Sequence, residues 1–290
     1  MFAAIDCAFP VPRLTTTLCM AAVLFLAVSS AAAQSSSGPN PEPNSVSGSL
    51  PDAPAPQSTG SQPSKPQDKD AVTLRNTPVN FLRDQEAIWT SPARIRERDL
   101  AVLVPLGLAT TLAITVDHQV MSSAKLDDAS LNSHATTASN GLLGGSVIAP
   151  VAIYGMGHIH HDDHATETGT LAGEAMVDSL VVNEVLKAVS MRERPTLDGA
   201  KGKFFQTSVG LDSSFPSNHS ILAWSSATVI ASEYSGPLTQ ITAYGLATGV
   251  SLTRVLARQH FPSDVLVGSA VGWLVGRYVF RKHSKYAPTF

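Results

Sequence analysis

Charge is scarce in this sequence. Asp, Glu, Lys and Arg together make up 15% of its 290 residues, and the formal net charge is −3. A nucleic-acid-binding surface needs a basic stripe, so that class of partner is excluded. Cysteine is nearly absent. The two present, Cys7 and Cys19, both lie in the N-terminal segment. If that segment is removed, structural disulfides, thiol catalysis and cysteine metal sites are excluded together, and stability must come from the core alone. A convincing alternation of apolar and polar residues is also missing, so strands are not expected, and no internal repeat is visible.

The N-terminus reads as an export signal over residues 1–33. Arg13 supplies a modest positive start, Leu18 to Val28 forms a short apolar stretch, and Ala31-Ala32-Ala33 before Gln34 fits a small-residue cleavage site. A transmembrane anchor is the alternative, but the apolar run is short for a span. Residues 34–76 follow as a linker rich in Ser, Pro and Gly. From Gln34 to about Asp70 it has few large apolar side chains and no period, and cannot bury enough surface to offset its ordering entropy.

The composition changes from about Thr77. Phe81, Leu82, Ile88 and Trp89 suggest a short amphipathic helix. Six apolar segments follow, at Leu100–Val116, Gly141–Gly157, Leu171–Ser190, Ser217–Tyr234, Leu238–Arg254 and Asp264–Arg281, with Gly, Pro or Asn in most gaps. The expected fold is all-α, a bundle of about six core helices within a domain spanning 77–285.

Three short stretches concentrate the chemistry. Lys187 sits near the end of the third segment, and Arg194-Pro195 follows where proline blocks continuation. Lysine places a point charge and arginine a planar fork, both suited to phosphate oxygens. Pro216-Ser217-Asn218-His219 opens the fourth segment. Ser217 is a natural N-cap, and the free amides behind it form an anion cradle. Thr253-Arg254 closes the fifth segment, with His260 in the loop and Asp264 starting the sixth. Asp264 is placed to accept the Nδ1 proton of His260, which would free Nε2 to attack. Each stretch also has a bland reading: a basic helix C-terminus, a helix start carrying a histidine, or a capping His–Asp pair.

In order and spacing, the three stretches resemble the tripartite motif K-x6-R-P, P-S-G-H, S-R-x5-H-x3-D of the type 2 phosphatidic acid phosphatase/vanadium haloperoxidase superfamily. The resemblance covers about Leu100 to Lys285. It implies a cofactor-free, metal-independent enzyme acting on phosphomonoesters or pyrophosphates, its partner being a phosphorylated small molecule or lipid. It also implies roles: His260 as nucleophile forming a phosphohistidine, Asp264 orienting it, and His219 protonating the leaving group. Lys187, Arg194, Ser217, Asn218 and Arg254 would hold the phosphate. Thr253 replaces the usual Ser and keeps the hydroxyl. Asn218 replaces the usual Gly, and a positive φ there would be strained. The rival functions are a vanadate-dependent haloperoxidase using the same pocket and a non-catalytic anion-binding envelope protein.

His158-Ile-His160-His161-Asp162-Asp163-His164 nearly matches the H-x-H-x-D-H cluster of metallo-β-lactamase-type hydrolases, but its register is one residue off and no β-rich context surrounds it. A solvated loop between helices is the expected reading. The apolar segments fall mostly short of the ~20 residues a span needs. A cleaved signal also fits a soluble or peripherally bound domain in the cell envelope, with its site outside the cytoplasm. Against this, Arg277, Arg281, Lys282 and Lys285 close the last segment, as the positive-inside rule asks of a six-span enzyme with an outward-facing site. An integral membrane form and membrane association therefore stay open.

Overall fold

A computed structural model describes residues 72 and 74–288. The signal at 1–33 and the linker as far as residue 70 lie outside the described residues. Among those described there are seven α-helices and no strand: α1 (Thr77–Thr90), α2 (Glu97–Met121), α3 (Ala129–His160), α4 (Asp163–Ser190), α5 (Asn218–Glu233), α6 (Pro237–Leu256) and α7 (Pro262–His283). The all-α bundle expected from sequence is what forms, with α1 laid against its flank.

Helix α5 is the hub and packs against α4, α6 and α7. Its sequence, NHSILAWSSATVIASE, is dominated by small residues, most of them buried. The closest approach is to α7, where Gly268, Gly272 and Gly276 recur every four residues. A Cβ added at these positions would lie 2.9, 2.4 and 2.6 Å from the carbonyl oxygens of Ser217, Ile221 and Ser225. Removing three side chains from one stripe lets the two backbones touch, and this closeness fixes the start of α7 beside the start of α5. The main apolar core joins Leu171, Ala172 and Ala175 of α4 to Val229 and Ile230 of α5 and Val275 and Val279 of α7.

Two helices are longer than the apolar segments suggested. α2 runs for 25 residues and α3 for 32. The polar stretch at the start of α3 reads as loop by composition, yet it is helical. Asp128 caps it by accepting from the amides of Ser130 and Leu131, and Thr136 and Thr137 bond back to the carbonyls of Asn132 and Ser133. The expectation of short segments is thus corrected: α2 and α3 are both long and apolar enough to cross a membrane. None of the apolar window of α2 is buried in the protein. Leu100, Val104, Leu108 and Leu112 all face outward.

The histidine-rich stretch is a corner between helices. His158 and His160 end α3, and His161 takes the left-handed conformation (φ 55). Asp162 then caps α4 by accepting from the amides of His164 and Ala165. His158 stacks on Tyr154, while His164 turns inward to Glu233, 3.0 Å away. The side chains diverge rather than converge on one point.

Candidate active site

The ends of α4 and α6 and the starts of α5 and α7 meet at one end of the bundle. Met191 adopts the left-handed conformation (φ 41) and closes α4 by donating its amide to the carbonyl of Lys187. The chain then turns back across the bundle end. The 213–215 segment is strapped to the end of α4: Ser190 Oγ donates to the Phe215 carbonyl (2.7 Å), the Arg192 amide to Ser213 Oγ (2.9 Å) and Ser214 Oγ to the Glu193 carbonyl (2.9 Å). Ser217 caps α5, and its amide donates to the backbone carbonyl of Asp264 (3.1 Å). The second and third motifs are therefore joined through the main chain.

His260 is 2% exposed. Its Nδ1 lies 2.7 Å from the Ser214 carbonyl and 3.7 Å from Asp264 Oδ2. This corrects the expected His–Asp contact, because 3.7 Å is too long for a hydrogen bond. A carbonyl can only accept, so Nδ1 carries the proton and Nε2 keeps its lone pair. The chemical consequence is as expected, but a different group enforces it. Asp264 is occupied elsewhere: Oδ2 accepts from the Phe261 amide (2.8 Å) and caps α7, and Oδ1 accepts from Arg192 Nη1 (2.6 Å).

Lys187 and Arg254 are buried, at 4% and 6% exposure. Neither ends on a carboxylate among the described ion pairs, and Arg254 Nε has no hydrogen-bond partner. Burial pushes the Lys187 ammonium below its ordinary range, and burial with nearby Arg194 brings Arg254 down to about 10. Arg194 reaches Asp212 at the rim (2.8 Å) and the Gln259 carbonyl (3.2 Å). His219 Nε2 sits 3.2 Å from Asn140 Oδ1. Burial, then the charges of Arg254, His260, Lys187 and Arg194, drive its pKa down to about 3. His260 is lowered too, chiefly by burial and against the pull of Asp264. Three cations and two histidines thus lie within electrostatic reach of one another, and of the cations only Arg194, at the rim, is paired with a carboxylate. A buried cation without a counter-charge is costly, and an oxyanion removes that cost.

Residues 169–287 match the family model described as the PAP2 superfamily. This region of the chain belongs to the PAP2 superfamily. A stretch of 65 residues, 22% of the chain, is 38% identical to the Lipid A 1-phosphatase of Porphyromonas gingivalis, and the match spans 15% of that protein's length. Among solved structures, the transmembrane PAP2 type phosphatidylglycerolphosphate phosphatase from Bacillus subtilis aligns over 71% of this chain and 92% of its own, at 22% identity and a TM-score of 0.40.

In the PAP2 region the structure brings together every residue that the motifs single out, with two differences of detail. Asn218 begins α5 in ordinary helical conformation, so no strain arises. Its side chain turns to Asn183 on α4. The Thr253 hydroxyl bonds back to the carbonyls of Gly249 and Val250 in its own helix.

Sequence reasoning missed Arg192. It is 1% exposed and clamped between Phe204 and Phe261, 4.6 and 4.1 Å from their ring centres. Its guanidinium binds Asp264, Ser263 and, at 2.7 Å, Asp117 Oδ2 from the last turn of α2. Asp117 in turn accepts the amide and hydroxyl of Ser263. The available signal was Asp117 itself, a lone acid at the end of a long apolar run.

Proposed function

We propose that this chain is a phosphatase that hydrolyses a phosphomonoester or pyrophosphate through a phosphohistidine, without a metal in the reaction. The observation that carries this reading is the pair of buried cations, Lys187 and Arg254, neither in an ion pair, beside a histidine whose Nδ1 faces a main-chain carbonyl and whose burial favours the neutral ring. In this mechanism Nε2 of His260 attacks phosphorus, the N–P bond forms, and the bond to the leaving oxygen breaks. His219 delivers its proton to that oxygen. Water then attacks the phosphohistidine and gives a proton back to His219, the N–P bond breaks, and orthophosphate leaves. Lys187, Arg194 and Arg254, with the amides at the start of α5, hold the charge that spreads over the equatorial oxygens.

Burial and the surrounding positive charge keep His219 neutral before substrate binds. A bound phosphate dianion reverses that balance and draws a proton onto His219. The general acid is thereby charged by substrate arrival.

A lipid phosphate is the substrate class we favour. α2 ends at the bundle end that holds the site, where Asp117 braces Arg192 and Ser263. With the outward apolar face of α2 immersed in a bilayer, the mouth of the site lies at the headgroup level. We place the protein in the cell envelope with the site outside the cytoplasm, a placement that an exported N-terminus allows only if α2 dips into the bilayer without crossing it, since α2 starts at the opposite end from the site.

The test is hydrolysis of an aryl phosphate and a lipid phosphate by the detergent-purified full chain with EDTA present, beside His260→Ala. EDTA-resistant activity lost in the variant supports the reading. A folded protein without hydrolytic activity that oxidises halide when loaded with vanadate would overturn it in favour of the haloperoxidase.

A further inference from the structure

Away from the candidate active site, α1, α4 and α7 bury a second group of ionisable side chains. Asp84 is wholly buried, Glu174 is 2% exposed, and the His283 side chain is 12% exposed. One ligand atom from each lies within 4.8 Å of the others. His283 Nε2 is 2.7 Å from Asp84 Oδ2, and Tyr278 donates its hydroxyl to Asp84 Oδ1 at 3.0 Å. Gln85 donates to Asp178 Oδ1 at 2.8 Å. That leaves Asp178 Oδ2 and both oxygens of Glu174 buried without a hydrogen-bond partner. Asn80 is a polar neighbour of Glu174 but lies outside hydrogen-bonding geometry.

We propose that Asp84, Glu174 and His283 form a binding site for a divalent transition-metal ion, with Zn2+ the best fit, that ties α1 to α4 and α7. Two carboxylate oxygens and one imidazole nitrogen from three helices match the ligand types of a tetrahedral zinc site. A water completes the fourth position. Zinc ligands stand roughly 3.3 Å apart in such a geometry. The His283–Asp84 contact therefore opens by roughly 0.6 Å as a hydrogen bond gives way to two metal bonds. The Tyr278 bond orients the Asp84 carboxylate from behind, as outer partners of metal ligands do. An entry path exists: a cavity of about 310 Å³ is lined by Glu174, Phe81, Pro150, Tyr154 and the exposed Leu74 and Val177. Glu174 and the motif residue Lys187 are 13 positions apart on one helix, roughly 20 Å along its axis. The ion therefore steadies the fold and takes no part in turnover.

The experiment is Zn2+ titration of the detergent-purified full chain after EDTA dialysis, read by bound zinc per chain and by Tm. One ion per chain and a raised Tm are expected. Glu174→Gln should weaken Zn2+ binding by about 100-fold or more. Without metal its Tm should equal or exceed that of the parent, because a buried unpaired charge is gone. That second reading separates lost binding from lost folding, and Asp84→Asn serves as an independent variant. The double variant His160→Ala, His161→Ala should bind as the parent does. Absence of stoichiometric zinc, binding indifferent to Glu174→Gln, or binding lost with the two corner histidines would overturn the proposal.

Discussion

Two levels of α4 bury opposite charges that lack partners. Near its C-terminus, Lys187 sits with Arg254 of α6, two cations without carboxylates. At its middle, Glu174 and Asp178 carry buried carboxylate oxygens without hydrogen-bond donors. An isolated buried charge costs several kcal/mol, so a chain that keeps two such regions needs compensation from outside itself. By sign alone, an anion belongs at the first and a proton or cation at the second. The positive region also has the Nε2 of His260 beside it, while the negative region gathers carboxylates, one imidazole, a tyrosine hydroxyl and a glutamine amide. The first is equipped for chemistry, the second for holding.

The largest effect that would break this contrast is at His260. His260→Ala should lower hydrolysis by about 10³-fold or more, because it removes the attacking atom. An aryl phosphate assay reads this directly, and an active variant would make the positive region a binding pocket. Next, Arg254→Met should cut kcat/KM by about 10²–10³-fold through loss of transition-state charge stabilisation. The same change should raise the stability of the empty protein by about 1–3 kcal/mol, since an unpaired buried charge disappears. Inorganic phosphate should raise the Tm of the parent far more than that of the variant. Loss of activity with loss of stability would mean that Arg254 has a protein partner and that the contrast fails.

Arg192 lies between these extremes, because its charge is paired. Arg192→Lys keeps the charge but loses the fork that joins Asp117 to Asp264. We expect a loss of about 3 kcal/mol in denaturant unfolding, as for a broken buried pair. kcat should fall with KM little changed, because Arg192 acts through Asp264 and Ser263 rather than on substrate.

What was legible in the sequence was local. Apolar segments gave the six core helices, and motif spacing placed Lys187, His219, Arg254 and His260 at one bundle end. The bounds of α3 were not legible, because Ala129–Asn140 is polar and reads as loop until Asp128 and the back-bonding threonines are seen to start a helix. The Ser214 carbonyl could not be foreseen, since a main-chain acceptor 46 residues from His260 leaves no trace in residue type. Asp84, Glu174 and His283 form no motif for the same reason: only the packing of three helices brings them together.

His219 gives a subtler effect. His219→Ala should slow an alkyl or lipid phosphate by about 10²–10³-fold and an aryl phosphate much less, because a good leaving group departs without a proton. Parallel steady-state assays on both substrates measure the ratio, and equal losses would remove the acid role. Asn140→Ala should shift the same ratio in the same direction more weakly, since Asn140 only contacts Nε2.

The smallest expected effect is on pH, and its sign follows from burial. Both site histidines are held below the ordinary value of 6.5, so the folded, empty protein binds fewer protons there than the unfolded chain does. Stability should therefore fall as pH drops below about 6.5, where the unfolded histidines charge and the buried ones do not, with the opposite slope absent above it. Kinetically, neutral His260 is the nucleophile, so kcat/KM should hold its value into acid below the usual histidine range before it declines. A full pH profile of kcat/KM on an aryl phosphate, where His219 matters least, isolates this limb. A decline centred near 6.5 would mean that water reaches His260 and that the positive region is less dry than its burial implies.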